Sequence, residues 1–298
     1  MKGRWGEITI LIAGLGLIAP QPVAAQSLPV LTPTTPEAIQ YLNRGLEKAR
    51  LGDLERAIAL FQSAIALDKN LAPAHYNLGL ARREQGDLQA AADAFYRAIS
   101  LNPKLALGYA NLGAALLEGN NLEQAQTYLQ SALQLSPQLG IAHYNLGLVE
   151  LKQKQPEPAI QHFRNAQQSG LQTPATFYHL GRAYWQQKAL EKAQSAFEQV
   201  IRLDSRHVKA HYALGRVWWE KNEPEAALEA FQKAIALNPK LAKTYYAAGV
   251  VLFETQQFPE ADQMLRKAQQ LYAEEGQRKW AAYAKQLAQR AASRSNQP

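Results

Sequence analysis

The sequence contains no cysteine. Disulfide bonds, thiolate zinc sites, iron–sulfur clusters and cysteine nucleophiles are therefore excluded. Other catalytic signatures are absent too: the chain has no HExxH or GxSxG motif, no phosphate-binding glycine loop and no dinucleotide fingerprint. His207 and His211 have the four-residue spacing of a metal pair, but no third ligand accompanies them. We expect no catalytic residues, no metal and no cofactor.

Long apolar runs are also scarce. Ile8–Ala19 is apolar over twelve residues, which is short against the ~20 residues that span a bilayer. Lys2 and Arg4 precede this run and the small residues Val23–Ala25 follow it, as in a secretory signal. We therefore expect a signal peptide over residues 1–25 and export to a periplasmic or lumenal compartment. The alternative is an uncleaved anchor formed by residues 8–19, which would tether the protein to a membrane.

A proline-rich linker is predicted over residues 26–37. It carries Pro29, Pro33 and Pro36 among serine and threonine residues, a composition that favours an extended spacer. Thr35 is expected to cap the first helix, with Pro36 at the first helical position.

Charge of either sign is modest, since 19% of residues are charged and the formal net charge is +7. Leu, Ala, Gln, Glu, Lys and Arg dominate the composition, and these residues favour helices. Nucleic-acid-binding domains concentrate Lys and Arg on one face, whereas here the cations cluster only near the C-terminus. We therefore expect no nucleic acid among the partners, and an enzyme or a nucleic-acid binder is kept only as a further alternative.

One internal period runs through the chain. A glycine recurs every 34 residues, an alanine follows it after twelve residues, and Phe or Leu follows the alanine after four. The glycines are Gly45, Gly79, Gly113, Gly147, Gly181, Gly215 and Gly249. The alanines are Ala57, Ala91, Ala125, Ala159, Ala193, Ala227 and Ala261, and the larger residues are Phe61, Phe95, Leu129, Phe163, Phe197, Phe231 and Leu265.

Each unit has two apolar runs at helical spacing, separated by turn signals such as Gly52-Asp53, Gly86-Asp87 and Asn120-Asn121. This pattern predicts a pair of helices, with Gly ending the first and Asp or Asn capping the second. We expect the glycine to face the alanine, so that the helices approach closely. The Phe or Leu would then fill the gap toward the next unit.

The motif His-Tyr-Asn-Leu-Gly at residues 75–79 and 143–147, Ala-x-x-x-Phe and the Asn-Pro terminator resemble the tetratricopeptide repeat family. The resemblance implies an all-α, right-handed superhelical solenoid of antiparallel helix pairs, of a bacterial exported type. It also implies a non-catalytic scaffold that binds proteins or extended peptides in a concave groove, as an assembly or recruitment factor. The seven units would be residues 38–71, 72–105, 106–139, 140–173, 174–207, 208–241 and 242–275.

The C-terminus is predicted to form a capping helix over residues 276–292, because a solenoid needs a terminal cap with a polar outer face. Trp280, Tyr283 and Leu287 share one stripe of this helix. We expect residues 293–298 to be a disordered tail.

One junction looks weaker than the others. Ser169 occupies a position that holds leucine in other units, Gln167 replaces an aliphatic residue, and Gly170 follows. We therefore expect looser packing after the fourth unit and a flexible joint there.

The family resemblance places the first helix of each unit on the concave face, so its polar columns are candidate binding positions. One column holds asparagine four times, and a row of asparagines could hold an extended peptide backbone. Asparagine at this position is also compatible with a purely structural role. The column consists of Asn43, Asn77, Asn111 and Asn145, followed by His179, Ala213 and Ala247.

The neighbouring columns divide the presumed groove into two halves. The first half is apolar and the second is basic and aromatic, which suits carboxylates or acidic peptides. The alternative for Trp185 and Trp219 is simple packing between units. The apolar half comprises Leu46, Leu80, Leu107, Ile141 and Leu148. The basic and aromatic half comprises Arg182, Trp185, Lys209, Arg216, Trp219 and Lys243.

Overall fold

A computed structural model describes residues 35–295 of the chain. This range forms an all-α helical repeat solenoid with no β-strand. Its fifteen helices are α1 Pro36–Arg50, α2 Leu54–Leu67, α3 Ala72–Gln85, α4 Leu88–Leu101, α5 Ala106–Glu118, α6 Leu122–Leu135, α7 Gly140–Lys152, α8 Pro156–Gln168, α9 Pro174–Gln186, α10 Leu190–Leu203, α11 Val208–Glu220, α12 Pro224–Leu237, α13 Ala242–Glu254, α14 Phe258–Glu274 and α15 Arg278–Ser295.

The chain divides into two compact parts, Met1–Leu171 and Gln172–Pro298. From here on they are called unit 1 and unit 2, and each 34-residue repeat is called a helix pair. The described part of unit 1 contains α1–α8, and that of unit 2 contains α9–α15. Within each unit, every helix packs against the next one along the chain. The predicted signal peptide and nearly all of the predicted linker lie outside the described residues.

The first helix begins as the sequence predicts. Thr35 is the N-cap of α1, and its hydroxyl accepts a hydrogen bond from the Ala38 amide at 3.3 Å. Pro36 occupies the first helical position, where a missing N–H removes no intrahelical bond.

The glycine column sets the distance between the two helices of each pair. A Cβ atom added to Gly79 would lie 2.7 Å from ring carbons of Phe95, and one added to Gly215 would lie 2.6 Å from the Phe231 ring. Such contacts are too short to accommodate a methyl group. The glycine therefore faces the Phe or Leu of its own pair, which corrects the expectation that it faces the alanine.

Each pair turns through one residue in the left-handed backbone region, as the turn signals indicate. The seven residues lie 34 positions apart: Gly52, Gly86, Asn120, Lys154, Lys188, Asn222 and Gln256. Positive φ values cost little for glycine but strain lysine and glutamine. The next residue often caps the second helix; Asp53, Asp87 and Asn121 accept backbone N–H bonds from its first turn.

The second helix of most pairs ends at a leucine that is followed by an extended capping residue. The fourth pair ends differently: α8 stops at Gln168, and Gly170 has a φ of 90°. At the Ser169 position of the other pairs, Leu67, Leu135 and Leu203 are 44%, 42% and 53% exposed, whereas Leu101 and Leu237 are half-buried and Leu271 is 5% exposed. The packing that Ser169 omits therefore differs from pair to pair, and the joint stays a prediction.

The capping helix α15 buries its alanine residues most completely. Ala284, Ala288 and Ala291 are at most 2% exposed, whereas Trp280 and Tyr283 are 46% and 44% exposed. The stripe of Trp280, Tyr283 and Leu287 is therefore only partly buried. The helix continues to Ser295, so the predicted tail does not begin at Ser293. Residues 296–298 lie outside the described range.

Candidate functional site

The asparagine column is mostly inaccessible. Asn77, Asn111 and Asn145 are 0%, 3% and 5% exposed, whereas Asn43 is exposed. The Asn77 amide donates to the Pro73 carbonyl of its own helix at 2.8 Å. The prediction of an asparagine ladder open to a peptide backbone is therefore wrong at three of its four positions.

Asn111 belongs to a polar network in unit 1. Its Nδ2 donates to the Tyr76 hydroxyl and to the Leu107 carbonyl, both at 3.0 Å. Arg83 Nη1 donates to Asn111 Oδ1 at 3.2 Å, and Arg83 Nε donates to Glu118 Oε1 at 3.0 Å. Burial raises the pKa of the Tyr76 phenol to about 12, although Arg83 and Asn111 act to lower it. The network joins α3 to α5 and gives hydrogen-bond partners to both the Arg83 guanidinium and the Asn111 side-chain amide.

Asn145 lacks the partners of Asn111. Ala110 and Leu117 occupy the positions, one repeat later, of the Tyr76 and Arg83 that contact Asn111. Within residues 35–295, the Nδ2 atom of Asn145 has no hydrogen-bond partner. An identical residue at an identical repeat position therefore has a different environment, because the neighbouring columns differ.

The apolar half of the presumed groove is also largely buried. Leu46 and Leu80 are each 5% exposed and Ile141 is 8% exposed, while Leu107 and Leu148 are half-buried. Leu46 and Leu80 contribute to the hydrophobic clusters of unit 1. The expected exposed apolar surface is therefore replaced by packed core at three positions.

The basic and aromatic half retains accessible groups in unit 2. The Arg216 guanidinium lies 4.2 Å from the centre of the Trp185 ring, a cation–π distance. Trp185 Nε1 donates to Glu220 Oε1 at 2.8 Å, and Lys188 Nζ donates to Glu220 Oε2 at 2.9 Å. Trp185 is thus held between two repeats, as the packing alternative expects, and its ring also supports Arg216.

The other predicted residues of this half lie on α9 and α11. Arg182 Nη1 lies 3.4 Å from His179 Nδ1 on the same helix. Lys209 is exposed in the first turn of α11. Neither Arg182 nor Lys209 lines the cavity described next.

A cavity of about 650 Å³ opens in unit 2 between α11, α12, α13, α14 and α15. Three predicted residues, Arg216, Trp219 and Lys243, line it. Its other walls are mainly aromatic and aliphatic. They are formed by Tyr212, Phe231, Leu241, Ala242, Tyr246, Ala247, Val250, Val251, Tyr272 and Trp280, with Glu275 and Gln277 at one edge.

The two cations that line the cavity, Arg216 and Lys243, are not paired with a carboxylate in the described part of the chain. Among residues 35–295, neither Arg216 nor Lys243 makes an ion pair. Burial lowers the pKa of Lys243, and the nearby charges of Lys209 and Arg216 lower it further. Lys243 Nζ lies 4.6 Å from the centre of the Tyr212 ring. An anion at this position would offset the repulsion between Lys243 and its neighbours Lys209 and Arg216.

Aromatic side chains form the far wall of the cavity. Trp280 of α15 stacks on Tyr272 with ring centres 6.0 Å apart and approaches Tyr246 edge-on at 5.7 Å. Glu275 lies beside them, where its Oε2 accepts a hydrogen bond from Gln277 Nε2 at 2.7 Å. The cavity therefore has cations at the α11 and α13 walls and one carboxylate at the α14–α15 turn.

The histidine pair considered for a metal has structural partners. His207 is the N-cap of α11, where its Nδ1 accepts the Ala210 N–H at 3.1 Å. His211 Nε2 lies 3.0 Å from the Ser205 carbonyl, and His75 Nε2 lies at the same distance from Lys69 O. Across residues 35–295, no group of three or more His, Asp or Glu side chains has the arrangement of a metal site.

Comparison with known families now identifies the repeat. The family model of the cilia and flagella-associated protein 70 C-terminal domain, a tetratricopeptide repeat domain, matches residues 30–238. The chain belongs to this tetratricopeptide repeat family. No curated protein matches the chain.

Solved structures of tetratricopeptide repeat (TPR) proteins share the fold. A chain of the APC/C hetero-tetramer Cut9–Hcn1 superposes with a TM-score of 0.65 and 24% identity over 72% of this chain and 43% of its own length. YrrB, described as a TPR protein with an unusual peptide-binding site, gives a TM-score of 0.55 and 26% identity over 65% of this chain and 99% of its own. PilF of Pseudomonas aeruginosa gives a TM-score of 0.61 and 20% identity over 68% of this chain and 92% of its own.

Several lining residues of this TPR chain were not among the predicted site residues. Tyr246 and Tyr272 line the cavity together with Trp280, which the sequence analysis places only on one stripe of the cap. A cavity lined by residues of five helices cannot be predicted from a column on the first helix of each pair. The helix α15 has five cations and no acidic residue. This was the sequence feature that could have indicated a role for the cap in a binding surface.

Within residues 35–295, no helix has both the length and the mean hydropathy that a membrane span requires.

Proposed function

We propose that the chain is a non-catalytic interaction scaffold that binds an acidic, extended segment of a partner protein at the cavity of unit 2. The observation that carries the proposal is the pair Arg216 and Lys243, two cations on a cavity wall with no carboxylate partner in the described range. Peptide binding by YrrB, a TPR protein of similar fold, supports a peptide as the ligand.

The shape of the cavity favours a chain segment with at least one large apolar side chain. About 650 Å³ is the size of a small-molecule pocket, and its walls include Trp219, Tyr246, Val250 and Trp280. Aromatic and arginine side chains dominate binding energies at protein interfaces. A segment that places an apolar side chain between these rings and a carboxylate near Lys243 would use both features.

A peptide-display selection with the full mature chain tests the ligand class directly. We expect the enriched sequences to combine Asp or Glu with an aromatic or aliphatic residue. Enrichment of basic or purely neutral sequences would refute an acidic ligand. Because Coulomb attraction between exposed groups is screened by salt, the affinity of a selected peptide should fall as ionic strength rises.

Charge reversal then locates the site. Hydrogen bonds to charged groups contribute about 1.5–3 kcal/mol, and each 1.4 kcal/mol corresponds to about tenfold in affinity. The Arg216→Glu/Lys243→Glu variant should therefore bind a selected peptide about 100-fold more weakly in a fluorescence anisotropy titration, with unchanged helicity.

The matched control is Arg206→Glu/Lys240→Glu, which makes the same charge change at exposed turn positions of unit 2 outside the cavity. It should change the affinity by no more than about threefold through long-range electrostatics. Equal losses in the two variants would show a general effect of net charge and remove the cavity from the proposal.

The predicted half of the site on α9 is tested separately. Arg182→Glu added to Arg216→Glu should weaken binding beyond the single variant only if the peptide extends from the cavity along α9. No additional effect would restrict the site to α11, α12, α13, α14 and α15.

For localisation we propose export, on the basis of the signal-like pattern in residues 1–25. The alternative is a membrane-tethered adaptor that retains residues 8–19. N-terminal sequencing of protein purified from its host separates the two, because a start at Gln26 removes the anchor. Crosslinking in that host followed by identification of the captured molecules tests the scaffold itself: capture of nucleic acid without protein would overturn it.

A further inference from the structure

Unit 1 contains a chain of hydrogen-bonding ionisable side chains inside its last helix pair, α7 and α8. His143 Nε2 lies 2.9 Å from the Pro137 carbonyl, and His143 Nδ1 lies 2.9 Å from His162 Nδ1. His162 Nε2 lies 3.4 Å from Glu150 Oε1. Glu150 and His143 are only 6% and 8% exposed. Neither the fold nor the cavity of unit 2 requires these groups.

The geometry determines which nitrogen atoms carry protons. A carbonyl oxygen only accepts, so His143 Nε2 must donate to Pro137. Neutral His143 then has a bare Nδ1, so His162 Nδ1 must carry the hydrogen that joins the two rings. Neutral His162 therefore presents a bare Nε2 toward Glu150. A carboxylate facing that lone pair would be repelled. One further proton must therefore lie between His162 Nε2 and Glu150 Oε1, and the two side chains share it.

No other charge in the surrounding helices of unit 1 replaces that proton. Glu118 of α5 is bound to Arg83, Glu123 of α6 is exposed, and Lys152 of α7 donates to Asn120 Oδ1 at 3.3 Å. Glu157 and Arg164 of α8 are exposed.

Burial acts on both members of the pair. It raises the pKa of the Glu150 carboxyl to about 7, and burial is the only cause of that shift. It also lowers the pKa of His162, with a further lowering by His143. Both directions favour a neutral acid donating to a neutral imidazole. The second oxygen of Glu150, Oε2, has no hydrogen-bond partner in residues 35–295, which is consistent with this buried, uncharged form.

The arrangement is particular to the fourth pair. The positions equivalent to His143, His162 and Glu150 hold Tyr109, Tyr128 and Leu116 in the third pair. There the two tyrosine rings pack with centres 6.4 Å apart, and no proton is needed to join the helices. The third pair is therefore an internal control with the same backbone architecture.

We propose that His143, His162 and Glu150 form a proton-dependent latch that joins α7 to α8 and loosens when the shared proton is lost. The latch would make the last helix pair of unit 1 sensitive to pH near neutrality. The latch binds only a proton, and none of its three residues lines the cavity in unit 2.

The direction of the pH effect follows from the two shifts. The raised pKa of Glu150 gives stability that is complete below the ordinary value of 4.5 and is lost as the pH rises to about 7. The lowered pKa of His162 gives stability that is complete above 6.5 and is lost as the pH falls. The two effects offset each other below 6.5. Between 6.5 and about 7 only the Glu150 effect acts, so the latch weakens there.

Nitrogen-detected NMR of the full mature chain tests the proton positions. At pH 6 we expect His143 as the Nε2–H tautomer and a hydrogen on His162 Nδ1. Through-bond coupling across the 2.9 Å contact between His143 Nδ1 and His162 Nδ1 would report the hydrogen between the two rings directly. The opposite tautomer of His143, or a His162 Nδ1 without a hydrogen, would overturn the latch.

Hydrogen exchange tests the consequence. After correction for the intrinsic pH dependence, the opening constant for amides of α7 and α8 should rise about threefold between pH 6.5 and 7.5, because half a pKa unit corresponds to that factor. Amides of α5 and α6 should show no such step. An equal response of both pairs, or none in either, would refute the proposal.

Glu150→Gln is the decisive variant, because the carboxamide does not titrate and its N–H donates to Nε2 of neutral His162 without a shared proton. It should retain the protection of α7 and α8 and abolish the pH step. A step that persists in this variant would exclude Glu150 as its source. Should the variant fail to fold, the tautomers of the unsubstituted chain still decide the question.

Discussion

Unit 1 and unit 2 have the same repeat, but Arg83 of unit 1 has a carboxylate partner and Arg216 and Lys243 of unit 2 have none among the described residues. In unit 1, Arg83 donates to Glu118 and Asn111, and that network ends on the buried Tyr76 hydroxyl. In unit 2, Arg216 and Lys243 line a cavity without a carboxylate partner among the described residues. The difference lies in the columns, since unit 2 replaces the asparagine position with His179, Ala213 and Ala247. One backbone thus carries a closed polar network and an open cationic cavity.

Removing each cation tests this comparison most strongly. Arg83→Ala would leave the Glu118 carboxylate, whose side chain is 20% exposed, without its partner. We expect a loss of about 2–3 kcal/mol in the free energy of unfolding, since deleting one member of a partly buried pair leaves the other uncompensated. Lys243→Ala should change stability by less than about 0.5 kcal/mol. Chemical denaturation measures both, and similar losses would contradict the division into closed and open sites.

The shared frame of the two units is tested by the glycine column. Gly79→Ala in unit 1 and Gly215→Ala in unit 2 each add a methyl group less than 3 Å from a phenylalanine ring. We expect both variants to lose about 1–3 kcal/mol, because such crowding forces the helices apart. A large difference between them would show that the units do not share one packing geometry.

Gly119→Ala is the control for these substitutions. A Cβ at Gly119 would meet only backbone oxygens at 3.5 Å, an ordinary contact, and its backbone has a φ of −72°. Alanine should be tolerated or slightly stabilising there, because it restricts the unfolded chain.

The turn column offers a gain of stability. Lys154 in unit 1 and Gln256 in unit 2 have φ values of 60° and 63°, a region that costs a residue with a Cβ about 1–2 kcal/mol. Lys154→Gly and Gln256→Gly should each stabilise the chain by about 1 kcal/mol in thermal or chemical denaturation. Gly86→Ala, at the equivalent turn with a φ of 86°, should lose a similar amount. A destabilised Lys154→Gly variant would show that its side chain has a role that the strain argument omits.

Much of this fold follows from the sequence, because the 34-residue period, the turn signals and the Thr35 cap are local patterns. The identity of the packing partners does not. Phe95 lies sixteen residues after Gly79, on the second helix of the same pair. Its ring contacts Gly79 because of how the two helices pack, which the spacing alone does not reveal.

The site was predicted less completely than the fold. Arg216, Trp219 and Lys243 follow from columns on the first helices, and the structure brings all three to the cavity. Trp280 and Tyr272 come from later helices, so their arrival depends on tertiary packing. Asn77 and Asn111 were misplaced because a column reveals periodicity but not whether the neighbouring repeat covers it.

The smallest expected effect concerns the end of unit 1. The flexible joint at residues 169–170 stays a prediction, and the structure changes its expected cause. Three of the six leucines at the Ser169 position, Leu67, Leu135 and Leu203, are about half exposed, so we expect Ser169→Leu to alter the free energy of unfolding by less than about 0.5 kcal/mol. Any mobility should arise instead from the early end of α8 and the left-handed Gly170.

Amides of residues 169–172 should then exchange faster than those of residues 101–104 in both the natural chain and the Ser169→Leu variant. Equal protection in the two segments would remove the joint, and slower exchange in the leucine variant would restore packing as its cause.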